Sequence, residues 1–359
     1  MSVTEATQKS NLRGMLGKFL KNLFLSENFT LYMCLAYFLI LIPFIPLIVS
    51  GKNLGNLLSN IWPLYVVAIG QTIVLIIGGI DLSQGAIISM SSIMGAMFIA
   101  EKADPVVFSK APIWGVILFE NGGLFANTAW GIPAAILIML LVGVIIGFLN
   151  GSAIALFNIP PFMVTLVSQT IFAALAIYIV KTENIINLPT IYNEIGTGGW
   201  GLISYALILT VIIAIAGQFI LSRTIFGRWL YAVGTNLRNA VVSGVPTRRV
   251  IILAYTFSGL CAGMASVIYS SRMMMGRPTL GGPLLLDIIG GAVIGGSSLS
   301  GGKGKILWTL FGVLFLQLLG NSLRLLNVSF YATEVVKGSV ILLAAFIDVT
   351  RTRLLKRNV

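Results

Sequence analysis

Ten apolar runs, separated by short hydrophilic segments, make up most of this chain: 29–50, 61–79, 85–100, 130–149, 160–180, 203–221, 250–271, 284–298, 306–322 and 333–348. A helix crossing a bilayer needs roughly 20 apolar residues, so most of these runs have the length of a span. Of the 359 residues 57% are apolar and only 9% charged, too few to cover a water-exposed surface. That excludes a soluble enzyme, a disordered regulator and a disulfide-stapled secreted module. The sequence has no histidine, which removes His bases, His metal ligands and Ser-His or Cys-His nucleophiles. Cys34 and Cys261 lie inside apolar runs and read as small core residues, not as a disulfide or metal site. The expected fold class is all-α and polytopic, with about ten transmembrane helices.

Charge placement sets the expected orientation. Fifteen Lys and Arg residues fall in the segments that a cytoplasmic N-terminus puts inside, against seven outside, which predicts cytoplasmic N- and C-termini. The chain then divides into a cytoplasmic segment 1–28, a membrane domain 29–348 and a basic tail 349–359. The net charge of +12 is explained by these clusters and not by nucleic acid. No cleavable signal peptide is expected, since the first apolar run starts near Phe29 and no small-residue cleavage pattern follows it.

Two runs depart from the others. The third and eighth are short and rich in Gly and Ser, so they are expected to be tilted, broken or buried among other helices. Irregular backbone at membrane depth survives only inside protein or beside a water-filled cavity, which makes these segments the place to look for a pathway. The turn Gly78–Gly85 and the stretch Gly295–Gly302 both read GG-x-x-LS-x-G, 217 residues apart, either a weak internal repeat or chance in a Gly/Ser/Leu-rich chain. Asp81 and Ser83 suit the capping of the helix that follows. The sharper reading, favoured because Ser83 could also cap the helix, makes Asp81 a gate charge near the cytoplasmic mouth, pairing with an arginine of 223–249 or of the other subunit. Asp287 has no obvious local partner, whereas Glu334 and Lys337 are spaced to pair on one helical face. Neutral polar groups such as Gln71, Asn150 and Gln169 either bond between helices or line a route for a hydroxyl-rich solute.

The largest inside loop, 222–249, holds five arginines and no acid. Gly227–Val233 reads amphipathic. Asn236 can cap a short helix through Val242, ended by Gly244 and Pro246. Such a loop is either an anchor on anionic lipid or a docking element for a cytoplasmic partner. Two lookalikes mislead. Gly301–Gly302–Lys303 resembles the end of a P-loop, but Ser297 and Gly304 occupy the places of its first Gly and its Ser/Thr. Leu299–Gly302 spells the signature of ABC ATPases with nothing else of an ATPase beside it. The chain is not expected to be an enzyme.

Five ordered blocks carry a family resemblance: GQTIVLIIGGIDLSQGA (70–86), GFLNGSAIALFNIPPFMVTL (147–166), FGRWLYAVGTN (226–236), SGVPTRRVIILAYTFSGLCAGMASVI (243–268) and IIGGAVIGGSSLSGGKGKILWTLFGVL (288–314). In these the chain resembles the membrane permease subunit of bacterial sugar-type ABC importers, the branch with the ribose, galactose, xylose and autoinducer-2 permeases. The resemblance implies a bacterial inner-membrane protein that pairs with a second permease copy or a paralogue. It implies a cytoplasmic ABC ATPase carrying ATP and magnesium, an extracytoplasmic solute-binding protein, and no cofactor in this chain. It makes 227–249 the ATPase-docking loop, with Asn236, Arg238, Asn239, Ala240, Ser243 and Gly244 as coupling residues. Asn236, Ala240, Ser243 and Gly244 match the family pattern N-x-x-A-A-x-x-S-G. Asn239 stands for its first Ala, and Leu237–Arg238 stand where acids are usual. Gln71, Asp81, Ser83, Asn150, Phe162 and Gln169 are the candidate pathway and gate residues. A stand-alone secondary carrier for a small polar solute is the alternative.

Overall fold

The computed structural model describes residues 28–201 and 203–357, with side chains through Ile347. The N-terminal segment expected at 1–28 lies outside the described residues except for Asn28. The main helices are α1 (Phe29–Leu41), α2 (Gly51–Ile76), α3 (Gln84–Ile99), α4 (Gly131–Phe157), α5 (Pro161–Val180), α6 (Thr190–Thr197), α7 (Tyr205–Arg223), α8 (Ile225–Thr235), α9 (Leu237–Val242), α10 (Thr247–Met273), α11 (Leu285–Ile294), α12 (Ile306–Leu325) and α13 (Phe330–Arg357). Among the described residues, strand is confined to two short antiparallel pairs, Leu118–Phe119 with Gly122–Gly123 and Gly199–Trp200 with Ile203–Ser204. Seven helices among the described residues are long and apolar enough to cross a membrane, and three shorter apolar ones occupy Phe29–Leu41, Gln84–Ile99 and Gly282–Ile294.

The first apolar run is not one helix, contrary to the reading of 29–50 as a span. α1 stops at Leu41, and a separate 3-10 turn covers Pro46–Val49. Pro43 and Pro46 supply no backbone N–H and disfavour helical geometry in the residues before them. The short third and eighth runs behave as expected, forming helices of 16 and 10 residues. The last helix runs through Arg357 without a break at 348.

Burial separates the bundle into centre and periphery. The spanning window of α2 is 83% buried, whereas that of α13 is 11% buried. α10 is the second central element. It crosses α4 on a stripe of small residues, Gly143, Gly147 and Gly151. A methyl group at Gly143 would run into the carbonyl of Gly259, and one at Gly147 into that of Tyr255. Four-residue spacing of small residues puts them on one helix face and lets the backbones touch, the usual device for packing helices in lipid.

Candidate functional site

The chain leaves α2 at Ile76 and turns back into the bundle instead of staying at its end. Gly78, at φ +77°, closes α2: its N–H donates to the Leu75 carbonyl at 2.9 Å, and the Gly79 N–H to Val74 at 3.0 Å. This is the six-to-one and five-to-two pairing of a Schellman cap. Residues 80–83 then climb beside α2 until Gln84, whose Nε2 donates to the Val67 carbonyl at 3.3 Å. Nine residues of helix separate Val67 from Ile76, so α3 starts about 13 Å inside the bundle.

Asp81 is fully buried on this rising segment. Its Oδ1 accepts from the Ser83 N–H at 3.0 Å and from Ser83 Oγ at 2.6 Å. Its Oδ2 accepts from Ser258 Oγ of α10 at 2.6 Å. Gln84 Nε2 donates to the same Ser258 hydroxyl at 2.8 Å, and Asn150 Nδ2 of α4 donates to Ser83 Oγ at 2.8 Å. Thr165 of α5 and Tyr255 of α10 both donate to the Ile80 carbonyl, at 3.2 and 3.4 Å. One carboxylate thus organises a turn joined to three helices. The expectation of a charge at the mouth paired with an arginine is corrected: Asp81 lies in the interior and three serine groups fill both its oxygens. Nor does Ser83 cap α3, for its hydroxyl makes no bond to that helix's first turn and donates to Asp81 instead.

Removing this hub has a calculable cost. Asp81→Ala orphans the Ser258 hydroxyl and both Ser83 donors, at about 1–3 kcal/mol for each buried group left unpaired. Asp81→Asn keeps an acceptor for Ser83 and is expected to lose about half as much. Thermal unfolding of both variants in detergent checks this. Equal losses would make the charge, and not hydrogen-bond geometry, the essential property.

The other candidate pathway residues divide. Gln71 is fully buried on α2, one turn from Val67, and neither amide atom has a hydrogen bond among the described residues. Gln169 lies at the start of α3, where its Oε1 accepts from the Ala86 N–H at 2.8 Å. Phe162, two turns earlier on α5, is 55% exposed. Asp81, Ser83 and Asn150 therefore form one buried cluster, while Gln169 and Phe162 belong to the surface of α5. Asp287, read as unpartnered, has a partner after all: Lys337 Nζ lies 2.9 Å from its Oδ2, and the same ammonium meets Glu334 at 3.2 Å. The pair joins α11 to α13 across 50 residues, which no local spacing could disclose.

At the end of the bundle where α2 stops, residues 224–246 form two capped helices, the expected one from Asn236 and a second over the amphipathic stretch before it. Thr224 Oγ1 accepts from the Gly227 N–H at 3.1 Å to cap α8, and Asn236 Oδ1 from the Asn239 N–H at 3.0 Å to cap α9. Gly244, at φ +78°, closes α9 with a second Schellman cap, its N–H on Val241 and that of Val245 on Ala240, both at 3.0 Å. Ala240 is buried, Leu237 and Val241 are half exposed, and Val242 is 84% exposed. Arg238 and the four other arginines of 222–249 form no ion pair among the described residues.

This element is clamped to both Gly-rich turns. Tyr231 Oη donates to the Gly304 carbonyl at 2.7 Å. The Gly302 N–H donates to the Ile76 carbonyl at 2.8 Å, and Gly234 lies so close that a methyl group there would collide with that same oxygen. The second turn also ends its helix with a Schellman cap, Gly296 on Val293 at 2.8 Å and Ser297 on Ala292 at 3.0 Å. The two caps superpose Gly78 on Gly296, one residue off the register of the sequence motif, and Gly301 packs against Gly78. Gly234 and Tyr231 carried no reading of their own within the docking loop, and Ser258 was one of several polar span residues that could bond between helices or line a route. For Gly234 the one signal is a small residue inside an otherwise bulky amphipathic stretch.

Residues 53–345 match the family described as branched-chain amino acid transport system / permease component. The chain belongs to this permease family. The permease is 34% identical over 305 residues to the ribose import permease protein RbsC of Bacillus subtilis (strain 168), covering 84% of this chain and 86% of the relative. It is 28% identical to the L-arabinose ABC transporter permease protein AraH of Azospirillum brasilense, over 85% and 82% of the two chains. Its identity to the xylose transport system permease protein XylH of Escherichia coli (strain K12) is 27%, over 83% and 85%. No solved structure matches the chain. Family membership and seven spanning-length helices make the permease a multi-pass membrane protein.

Proposed function

We propose that the chain is the membrane subunit of an ATP-driven, binding-protein-dependent importer for a sugar or sugar-like polar solute in the bacterial inner membrane. It has ten spans with both termini cytoplasmic, works beside a second permease copy or paralogue, and couples to a separate ATPase that carries ATP and magnesium. A solute-binding protein delivers the cargo from outside. The pentose names of the relatives support the solute class. One observation carries the coupling: a capped, basic helix with Val242 projecting from it is fastened through α8 to the turn that holds Asp81. A self-sufficient ion-driven carrier usually shows several intramembrane acids, which this chain lacks, and Lys337 pairs with Asp287.

Docking through α9 predicts a charge and contact requirement. Val242→Asp leaves the fold intact because the side chain is solvent-exposed, and Gly244→Pro cannot adopt the positive φ of the α9 cap. Both are expected to insert normally and to lower solute-stimulated ATPase activity of the reconstituted complex at least tenfold. Normal stimulation in both variants would detach the loop from the coupling path. Uptake by the purified chain alone, driven by a proton or sodium gradient, would overturn the importer reading.

A further inference from the structure

The turn that carries α11 into α12 is the floor of a cavity of about 680 Å³ between α1, α12 and α13. That volume lies in the range of small-molecule sites, about 300–1,000 Å³. The two peripheral helices are fastened at different depths, which leaves the space between them. α1 is pinned to the end of α11, where Thr30 Oγ1 donates to the Ile294 carbonyl at 2.7 Å. α13 is pinned to the start of α11 by the 2.9 Å contact of Lys337 with Asp287. From there it runs on past Ile347 as the least buried of the spanning helices.

The two ends of the cavity differ in chemistry. Trp308 and Phe315 of α12 both line it, seven residues or about 10 Å apart. Val340, Leu343 and Ile347 cover a similar length on one face of α13, and Met33 closes the side formed by α1. Leu343 is 60% exposed, so the cavity opens on the face that meets hydrocarbon. At the Trp308 end the lining changes to Lys303 and Lys305, both exposed. Lys303 forms no ion pair among the described residues. Lys305 Nζ lies 4.1 Å above the Trp308 ring, a cation–π contact that holds this ammonium at the rim. The sequence places no acid between Asp287 and Glu334. α12 starts at Ile306 with no side-chain cap, and its positive end adds to the attraction for an anion. An indole and two ammonium groups at the mouth of an apolar slot match the boundary between lipid headgroups and acyl chains.

Water does not suit the apolar part, since cavities lined this way stay dry or take an apolar ligand. The lysines by themselves would accept any anion. An occupant that meets both requirements has about 10 Å of hydrocarbon with a negative group at its end. We propose that the cavity holds one anionic phospholipid, its phosphate on Lys303 and Lys305 and an acyl chain between α1 and α13. The floor is the turn that Tyr231 ties to α8 through the Gly304 carbonyl, so this lipid lies against the docking element. Its assignment to the cytoplasmic leaflet rests on the importer reading; its binding does not.

The test is native mass spectrometry of the full chain, delipidated in detergent and titrated with phosphatidylglycerol or with phosphatidylcholine of the same acyl chains. The wild type is expected to take up one phosphatidylglycerol per chain at least tenfold more tightly than phosphatidylcholine. Lys303→Gln with Lys305→Gln should erase that preference. Lys52→Gln with Lys110→Gln, a pair of exposed lysines at the opposite end of the bundle, should keep it. Ala344→Trp fills the cavity and leaves both lysines in place, and it should weaken phosphatidylglycerol binding at least fivefold. Equal binding of the two lipids by the wild type, a preference that survives the double lysine replacement, or wild-type affinity in Ala344→Trp overturns the proposal. Uptake by the chain without an ATPase would instead strike the importer reading and leave the lipid titration standing.

Discussion

Lys337→Met will unfold this permease more readily than any conservative surface change, by about 3–5 kcal/mol. The lysine sits on α13, the least buried of the spanning helices, yet it is itself only 6% exposed because it turns inward to Asp287. Its ammonium lies 2.9 Å from Asp287 Oδ2, and Gln317 Nε2 approaches the same oxygen at 3.5 Å. Asp287 Oδ1 already lacks a partner among the described residues. Removing the ammonium leaves a buried carboxylate with one weak hydrogen bond, whereas the double replacement Asp287→Leu with Lys337→Met removes both desolvated charges and should recover most of the loss. Thermal unfolding in detergent, read for both singles and the double, decides the matter. Equal destabilisation by Lys337→Met and by the double would place the effect in packing and not in the ion pair.

Gly234→Ala should abolish coupled uptake while sparing membrane insertion. The added methyl group would overlap the Ile76 carbonyl oxygen, which already holds the Gly302 N–H at 2.8 Å. Both obstacles are backbone, so no rotamer change relieves the clash and α8 must move off the turn. Overpacking of this kind costs about 1–3 kcal/mol, enough to favour separation at a contact built from a handful of hydrogen bonds. Tyr231→Phe removes only the 2.7 Å bond to Gly304 and should cost about 1 kcal/mol, with a correspondingly small loss of uptake. Uptake driven by ATP in proteoliposomes is expected to fall at least tenfold for Gly234→Ala and less than threefold for Tyr231→Phe. Wild-type uptake in Gly234→Ala would mean that α8 and the Asp81 turn move independently.

Much of this architecture was legible in the chain. Helix positions follow from apolar runs bounded by Gly, Pro and charge, because in lipid a segment must satisfy its own backbone. The capped helix α9 could be placed to the residue, since Asn236 and Gly244 act through bonds to groups a few positions away. The break in the first run is equally local, set by Pro43 and Pro46, but reading 29–50 by its apolar length alone passed over it.

What the sequence could not determine is where local features go once the helices pack. Asp81 followed by Ser83 reads alike as a helix cap, a gate charge or a buried hub. Ser258, 177 positions away, makes it the hub. Asp287 looked solitary because its partner is on another helix, and Gly234 looked like any glycine until Ile76 lay against it. Hydrophobicity and capping are properties of short windows, so sequence by itself determined most of the helices and the capped helix α9. Charge pairing and backbone contact depend on distances between remote segments, so only the tertiary structure decided which polar groups are buried together and which face the outside.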